Sequence, residues 1–169
     1  MSKISCLKLH NFRNYPNQKF NFSNKITAIY GKNGSGKTNL LEAISLICCG
    51  RSIKNSSLGE IIQKNPIANS MANSFSIYAD FAQHQQIDNI GLQYSENDKK
   101  KIWQINGNIH KTLPREITLP TIIWLTPKMD NLFTESKSER RLFLDKITSD
   151  IDPNHSSRLN LYSHCYVKG

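Results

Sequence analysis

A chain of 169 residues, 21% charged and 38% hydrophobic, holds enough apolar material for one ordinary domain core and is too apolar to remain unfolded. Lysine and arginine outnumber aspartate and glutamate 22 to 13, and the net charge of +9 favours polyanionic partners, although the wealth of isoleucine, asparagine and lysine is equally compatible with a compositional bias. No apolar run approaches the roughly eighteen residues of a membrane span, and MSKISCLKLHNFRN lacks an apolar core of signal-peptide type, so a cytoplasmic chain with no membrane partner is expected.

The first thirty residues read as strands. Ile4, Cys6, Leu7 and Leu9 give a short strand with a shift in facing, ending at the polar turn Asn11 to Asn14. Phe20 and Phe22 alternate with polar neighbours until Ser23-Asn24 interrupts. The apolar, β-prone stretch Lys25 to Tyr30 is expected to be a buried strand, followed by a loop from Gly31 to Gly36. Leu40, Leu41, Ile44, Ile47 and Cys48 then fall at helical spacing from Lys37 onward, with Gly50 as a natural C-cap.

Residues 51–73 are polar and irregular apart from a short helix around Leu58, Ile61 and Ile62. Phe75, Ile77, Ala79 and Phe81 alternate strictly, Ile90, Leu92 and Tyr94 repeat the pattern, and Asn106-Gly107 sits between two β-prone segments as a hairpin turn. An antiparallel meander over residues 74–112 is therefore expected. Thr121 to Thr126 forms a second buried-strand candidate, stopped by Pro127. Beyond it, Ser136 with Glu139 fits a capping box for a helix whose apolar face carries Leu142, Phe143 and Ile147. Pro153 breaks that helix, and a second helical segment starts near Asn154. The expected division is a lobe over residues 1–126 and the start of a helical arm over 127–169.

Cys6, Cys48, Cys49 and Cys165 show no C-x-x-C spacing and the five histidines are scattered, so buried reduced thiols and no structural metal are expected. Trp103 and Trp124 read as core, Lys99 to Lys101 as a solvated strand-and-turn edge, and Glu42 as an exposed or paired residue of the first helix.

The chemistry concentrates in GKNGSGKT, Gly31, Lys32, Asn33, Gly34, Ser35, Gly36, Lys37 and Thr38, which fits G-x-x-x-x-G-K-[ST] between an apolar segment and a helix. Glycines let successive N–H groups curl toward phosphate oxygens, and the helix N-terminus adds partial positive charge. Lys37 is placed to reach the β- and γ-phosphates of ATP, and the Thr38 hydroxyl to ligate Mg²⁺.

LKLHNFRNY, GKNGSGKTNLLEAI, GRS at Gly50 to Ser52, ING, TP and RRLFLD at Arg140 to Asp145 follow one another in order. This combination closely resembles the N-terminal part of the bacterial RecF family, DNA replication and repair ATPases of the ABC/SMC class. The resemblance implies an α/β fold, a partial ABC-type P-loop ATPase head with an antiparallel β-subdomain. It implies ATP-dependent homodimerisation, binding to gapped DNA at single-strand/double-strand junctions, recombination-mediator partner proteins and a place in the DNA-damage (SOS) response. It also places Arg13, in the FRNY turn, near the nucleotide phosphates; a surface arginine in a β-turn is the alternative. Arg140 and Arg141 are candidates for DNA phosphate or subunit contacts, or a solvated helix face.

Two expected parts of such a head are missing. The apolar run Thr121 to Leu125 ends in Thr126-Pro127-Lys128 rather than a carboxylate pair, and Ser-Gly occurs only at Ser35-Gly36, so no LSGGQ-like signature follows. The sequence therefore reads as a fragment, a truncated product or one half of a split gene, expected to hydrolyse ATP negligibly by itself. A P-loop small-molecule kinase and a non-catalytic module binding DNA or partner proteins are the rival readings.

Overall fold

Strict alternation over Phe75 to Phe81 puts every second side chain on one face of a strand, and the structure buries that face completely from Phe75 through Ala79. A computed structural model of the protein describes residues 3–54, 56–63, 73–82, 87–114, 117, 119, 122–125, 137–152 and 154–167. The chain divides into two units, Met1–Pro120 and Thr121–Gly169.

In the first unit, β1 (Lys3–Phe12), β2 (Tyr15–Asn21), β3 (Ser74–Ala82), β4 (Asn89–Ser95), β5 (Lys100–Ile105) and β6 (Asn108–His110) form one antiparallel sheet in the order β2-β1-β3-β4-β5-β6. The predicted shift in facing is real: the β1–β3 register slips between Ile4 and Cys6, and both Cys6 and Leu7 are buried. The β5–β6 hairpin turns through Asn106 and Gly107 at φ 49° and 84°, the positive pair such a two-residue loop demands.

Helix α1 (Lys37–Cys49) covers the inner face of the sheet, packing on β3 and β4. Leu40, Ala43, Leu46 and Ile47 meet Leu7, Leu9, Ile77, Ile90, Leu92 and Trp103 in a shared buried core. Phe12 and Phe75 pack edge to face at 5.5 Å between centroids. Gly50, at φ 66°, closes the helix with its N–H on the Leu46 carbonyl at 2.9 Å. The short helix α2 (Leu58–Ile61) stands where the pattern predicts it.

Three expectations are corrected. Residues 25–30 are not a buried strand but irregular and exposed, with Ile26 87% and Tyr30 93% accessible. An apolar, β-prone segment becomes a strand only beside a hydrogen-bonding neighbour, and none of the described strands pairs with it. Residues 122–125 behave likewise, with Leu125 75% exposed and Trp124 only half-buried rather than core. Lys101 is half-buried rather than part of a solvated edge: β6 pairs only with Trp103 to Ile105, but the Lys101 ammonium lies 4.6 Å from the Trp103 ring centroid and donates to the Gly50 carbonyl at 3.3 Å. Burial pushes its pKa down.

The second unit contains α3 (Lys137–Ile151) and α4 (His155–Val167), packed on each other. Asp145 faces His155 at 3.1 Å and Arg141 at 3.8 Å, and the Arg141 guanidinium stands over Tyr162. The expected capping box at Ser136 and Glu139 lies outside the described residues, as does the Cys165 side chain.

Candidate nucleotide-binding site

The loop Gly31–Gly36 is fashioned by backbone conformations a side chain resists. Gly34 and Gly36 have φ 83° and 98°. At Gly36 the space is closed as well: a Cβ there would lie 2.5 Å from Asn14 Nδ2 and 2.7 Å from the Tyr15 hydroxyl. A tight turn joins Lys32 to Ser35, whose N–H donates to the Lys32 carbonyl at 3.2 Å.

Gly36 is the N-cap of α1, and no side chain caps it; the first turn contains no acidic residue. The helix thus presents its first N–H groups and positive dipole end without a protein anion to satisfy them. Lys37 Nζ donates to the carbonyls of Gly31 and Lys32 at 2.7 and 2.8 Å, holding the ammonium across the loop mouth, and Thr38 is exposed one residue further on. The cradle fits a phosphate chain: glycine-built curvature, an uncapped helix N-terminus and a lysine converge on one place.

The β1–β2 turn braces this loop. Asn14 Nδ2 donates to the Ser35 carbonyl at 3.3 Å, Asn39 Nδ2 to Asn14 Oδ1 at 2.9 Å, and Lys54 Nζ to Asn39 Oδ1 at 2.6 Å. Next to Asn14, Arg13 adopts φ 53° despite its side chain. Its guanidinium grips Glu42 through Nε and one terminal nitrogen, both at 2.8 Å, and donates also to Ser56 and to the Glu60 carbonyl. Expected by resemblance to lie near the phosphates, the Arg13 guanidinium is directed at Glu42 here. Its backbone N–H donates to the Ile61 carbonyl at 2.7 Å and Gln63 N–H to Asn11, stapling the turn to α2.

Glu42 is fully buried on α1. Besides Arg13 it accepts from Ser52 Oγ at 2.5 Å and has Lys54 Nζ at 3.6 Å. Burial alone would raise its pKa, but the hydrogen bonds of Arg13 and Ser52 and the charges of Arg13 and Lys54 prevail and hold the carboxyl below its ordinary value. A depressed folded-state pKa means the unfolded chain binds more protons, so this contribution is complete above the unfolded value of about 4.3 and vanishes as pH falls through the folded one. Urea midpoints of wild type and Glu42→Gln measured from about pH 7 to pH 3 are expected to differ most at neutral pH and to draw together as pH falls below the unfolded value of about 4.3. Parallel curves would show that the carboxylate is not held by its cations.

Sequence reading located Gly31 to Thr38 and left Glu42 exposed or paired; it is paired. Asn14, Asn39, Ser52 and Lys54 are not singled out by the sequence, although Asn14, Asn39 and Ser52 lie within the quoted stretches FRNY, GKNGSGKTNLLEAI and GRS and Lys54 stands two residues beyond the last. On α3, Arg141 reaches Asp145 rather than standing as a free cation. Among the described residues, no helix is long and apolar enough to cross a membrane.

A protein-family model described as an AAA domain matches residues 6–161. The chain is 36% identical over 158 residues to the DNA replication and repair protein RecF of Rhizobium rhizogenes, covering 92% of this chain and 40% of that protein. It is 34% identical to the RecF of Rickettsia typhi, over 95% of this chain and 43% of that one. The chain thus spans about 40% of the length of the curated relatives it matches. Among solved structures, the recombination mediator protein RecF-ATPrS superposes with a TM-score of 0.75 at 29% identity, over 96% of this chain and 42% of that one. The Smc head domain of Pyrococcus yayanosii superposes at 0.64 and 22% identity, over 96% of this chain and 35% of that one, which shows the shared fold. The fold is that of an α/β P-loop ATPase head with an antiparallel β-subdomain.

Proposed function

The chain belongs to the AAA-domain family, and on that premise we propose that it binds ATP at Gly31–Thr38 and serves DNA replication and repair in the manner of the RecF proteins it resembles. The observation that carries the reading is the convergence of the uncapped α1 N-terminus, Gly34, Gly36 and Lys37 on one loop. Gly31, Lys32, Asn33, Gly34, Ser35 and Gly36 would wrap the phosphates, Lys37 would neutralise their charge, and Thr38 would hold a Mg²⁺ ion, which would supply further charge neutralisation. Arg13 supports the nucleotide by positioning the turn that bears Asn14. Residues 1–126 act as the nucleotide lobe and 127–169 as the start of a helical arm.

The partners in this reading are gapped or single-stranded DNA, recombination-mediator proteins and, with ATP, a second copy of the head, all in the cytoplasm. Similarity to the solved structures of RecF-ATPrS and RecF-ATP supports the nucleotide, and the net charge of +9 supports the nucleic acid. Binding rather than turnover is assigned to these 169 residues, because they contain no adjacent carboxylate pair to orient a metal-bound water.

Filter binding with gapped and blunt DNA, with and without ATP, tests the reading. Gapped DNA is expected to be retained, with an affinity that ATP changes. No retention favours a small-molecule kinase, and retention indifferent to ATP favours a non-catalytic module.

A further inference from the structure

The sheet has a second face, turned away from α1, and its strand register aligns an unusual row of residues. Lys19 on β2 pairs with Lys8 on β1, Lys8 with Tyr78 on β3, Tyr78 with Gly91 on β4, Gly91 with Gln104 on β5, and Gln104 with Ile109 on β6. At ordinary strand spacing this row crosses about 24 Å. Beside it, His10, Ser76, Gln93 and Ile102 form a parallel row.

Two features of the rows call for a ligand. Lys8 and Lys19 stand directly opposite one another, an arrangement of like charges that mildly destabilises a sheet and that a bound anion would relieve. Both are exposed, as is His10. Next to them the absent side chain of Gly91 opens a cavity of about 230 Å³ lined by Tyr78, Gln93, Gln104, Ile102 and Ile109. Tyr78 forms one wall: Lys8 Nζ lies 4.9 Å from its ring centroid, and a Cβ on Gly91 would lie 3.5 Å from its Cδ2. Ile109, 74% exposed, supplies an apolar rim. Asp80, two residues along β3 on the same face, accepts a hydrogen bond from the Tyr78 hydroxyl and so fixes that wall, on the side away from the His10 row.

An aromatic ring and two isoleucines favour a flat apolar ligand, and two carboxamides can both donate to and accept from its polar edge. A pair of lysines alongside favours a phosphate. A nucleotide unit joins these chemistries at this spacing, and only an unpaired base can enter a cavity in a sheet face. We propose that the outward face of the sheet binds single-stranded nucleic acid, with one unpaired base in the cavity over Gly91 and adjoining phosphates on Lys8 and Lys19. This rests on the nucleic-acid reading above and goes beyond it by giving the strand a place away from the ATP cradle. Gly91 is not required by its backbone, which does not have positive φ; its role is the opening it leaves.

Fluorescence anisotropy of the full chain with a labelled oligothymidylate of about twelve nucleotides tests the assignment. Gly91→Leu fills the cavity and is expected to weaken binding about tenfold, with unchanged circular dichroism and unchanged affinity for an ATP analogue. Lys8→Ala with Lys19→Ala is expected to reduce the slope of log affinity against log salt by about 1.4. Should Gly91→Leu not fold, Gln104→Ala and the exposed lysine pair carry the test, each lowering affinity several-fold. Folded variants that bind the oligomer like wild type would overturn the proposal and leave the face to a protein partner. Competition by free thymidine monophosphate as strong, per nucleotide, as by the oligomer would also overturn it. A wild type that fails to bind ATP but whose oligomer binding responds to Gly91 would defeat the ATP reading alone.

Discussion

Arg13→Ala is expected to lower the free energy of unfolding by about 3–5 kcal/mol, a large share of a small domain's stability. Glu42 has no solvent exposure, and its charge is tolerated because the Arg13 guanidinium meets both carboxylate oxygens at 2.8 Å. Truncation leaves that carboxylate inside the protein with Ser52 and a more distant Lys54, so the lower end of the range applies. It also removes the donor to the Glu60 carbonyl, loosening the turn from α2. Arg13→Lys keeps the charge without the two-pronged geometry and should fall between. Replacing both partners together, Arg13→Met with Glu42→Leu, should recover much of the loss, since neither charge is then stranded. Denaturant unfolding of the four proteins measures this; a loss below about 1 kcal/mol for Arg13→Ala would mean that the pair behaves as a surface ion pair.

Gly36→Ala is expected to cut ATP-analogue affinity by tenfold to a hundredfold. The backbone there sits at φ 98°, where a side chain costs about 1–3 kcal/mol. The new methyl would also press on Asn14 and Tyr15 at 2.5–2.7 Å. That turn cannot retreat freely, because the Arg13 guanidinium and backbone tie it to Glu42 and Ile61. Gly34→Ala provides the contrast: φ is 83° but nothing lies within 4 Å of the new atom, so only the conformational cost applies and the loss should be smaller. Asn14→Ala should partly rescue Gly36→Ala by clearing the contact while giving up the bond to Ser35. Fluorescence titration of these variants ranks them, and equal losses at Gly34 and Gly36 would contradict the packed contact.

Local pattern made the meander and the loop legible. Alternation along Phe75 to Phe81, the Asn106-Gly107 turn and the glycine spacing before Lys37 each depend on residues close in sequence. The segments at 25–30 and 122–125 were misread because burial is decided by neighbours elsewhere in the chain. Composition says that Ile26 and Leu125 are apolar, but not whether a strand lies beside them. The brace on the loop was illegible for a related reason. Arg13, Asn14, Glu42 and Lys54 are brought together only once the β1–β2 turn has packed on α1, and side-chain hydrogen bonds across 15 to 29 residues leave no periodic trace. Lys101 repeats the lesson, looking like one of three surface lysines until Trp103 and the end of α1 enclose it.

The central claim is that Gly31–Thr38 holds a triphosphate through the helix N-terminus and Lys37. Isothermal titration of the chain with an ATP analogue and Mg²⁺, repeated on Lys37→Ala, tests it most directly. Removing one charged donor is worth about 1.5–3 kcal/mol, so wild type should show saturable one-to-one binding and Lys37→Ala a dissociation constant at least about tenfold higher with its fold intact. Equal binding by the two proteins, or none by a folded wild type, would contradict the claim.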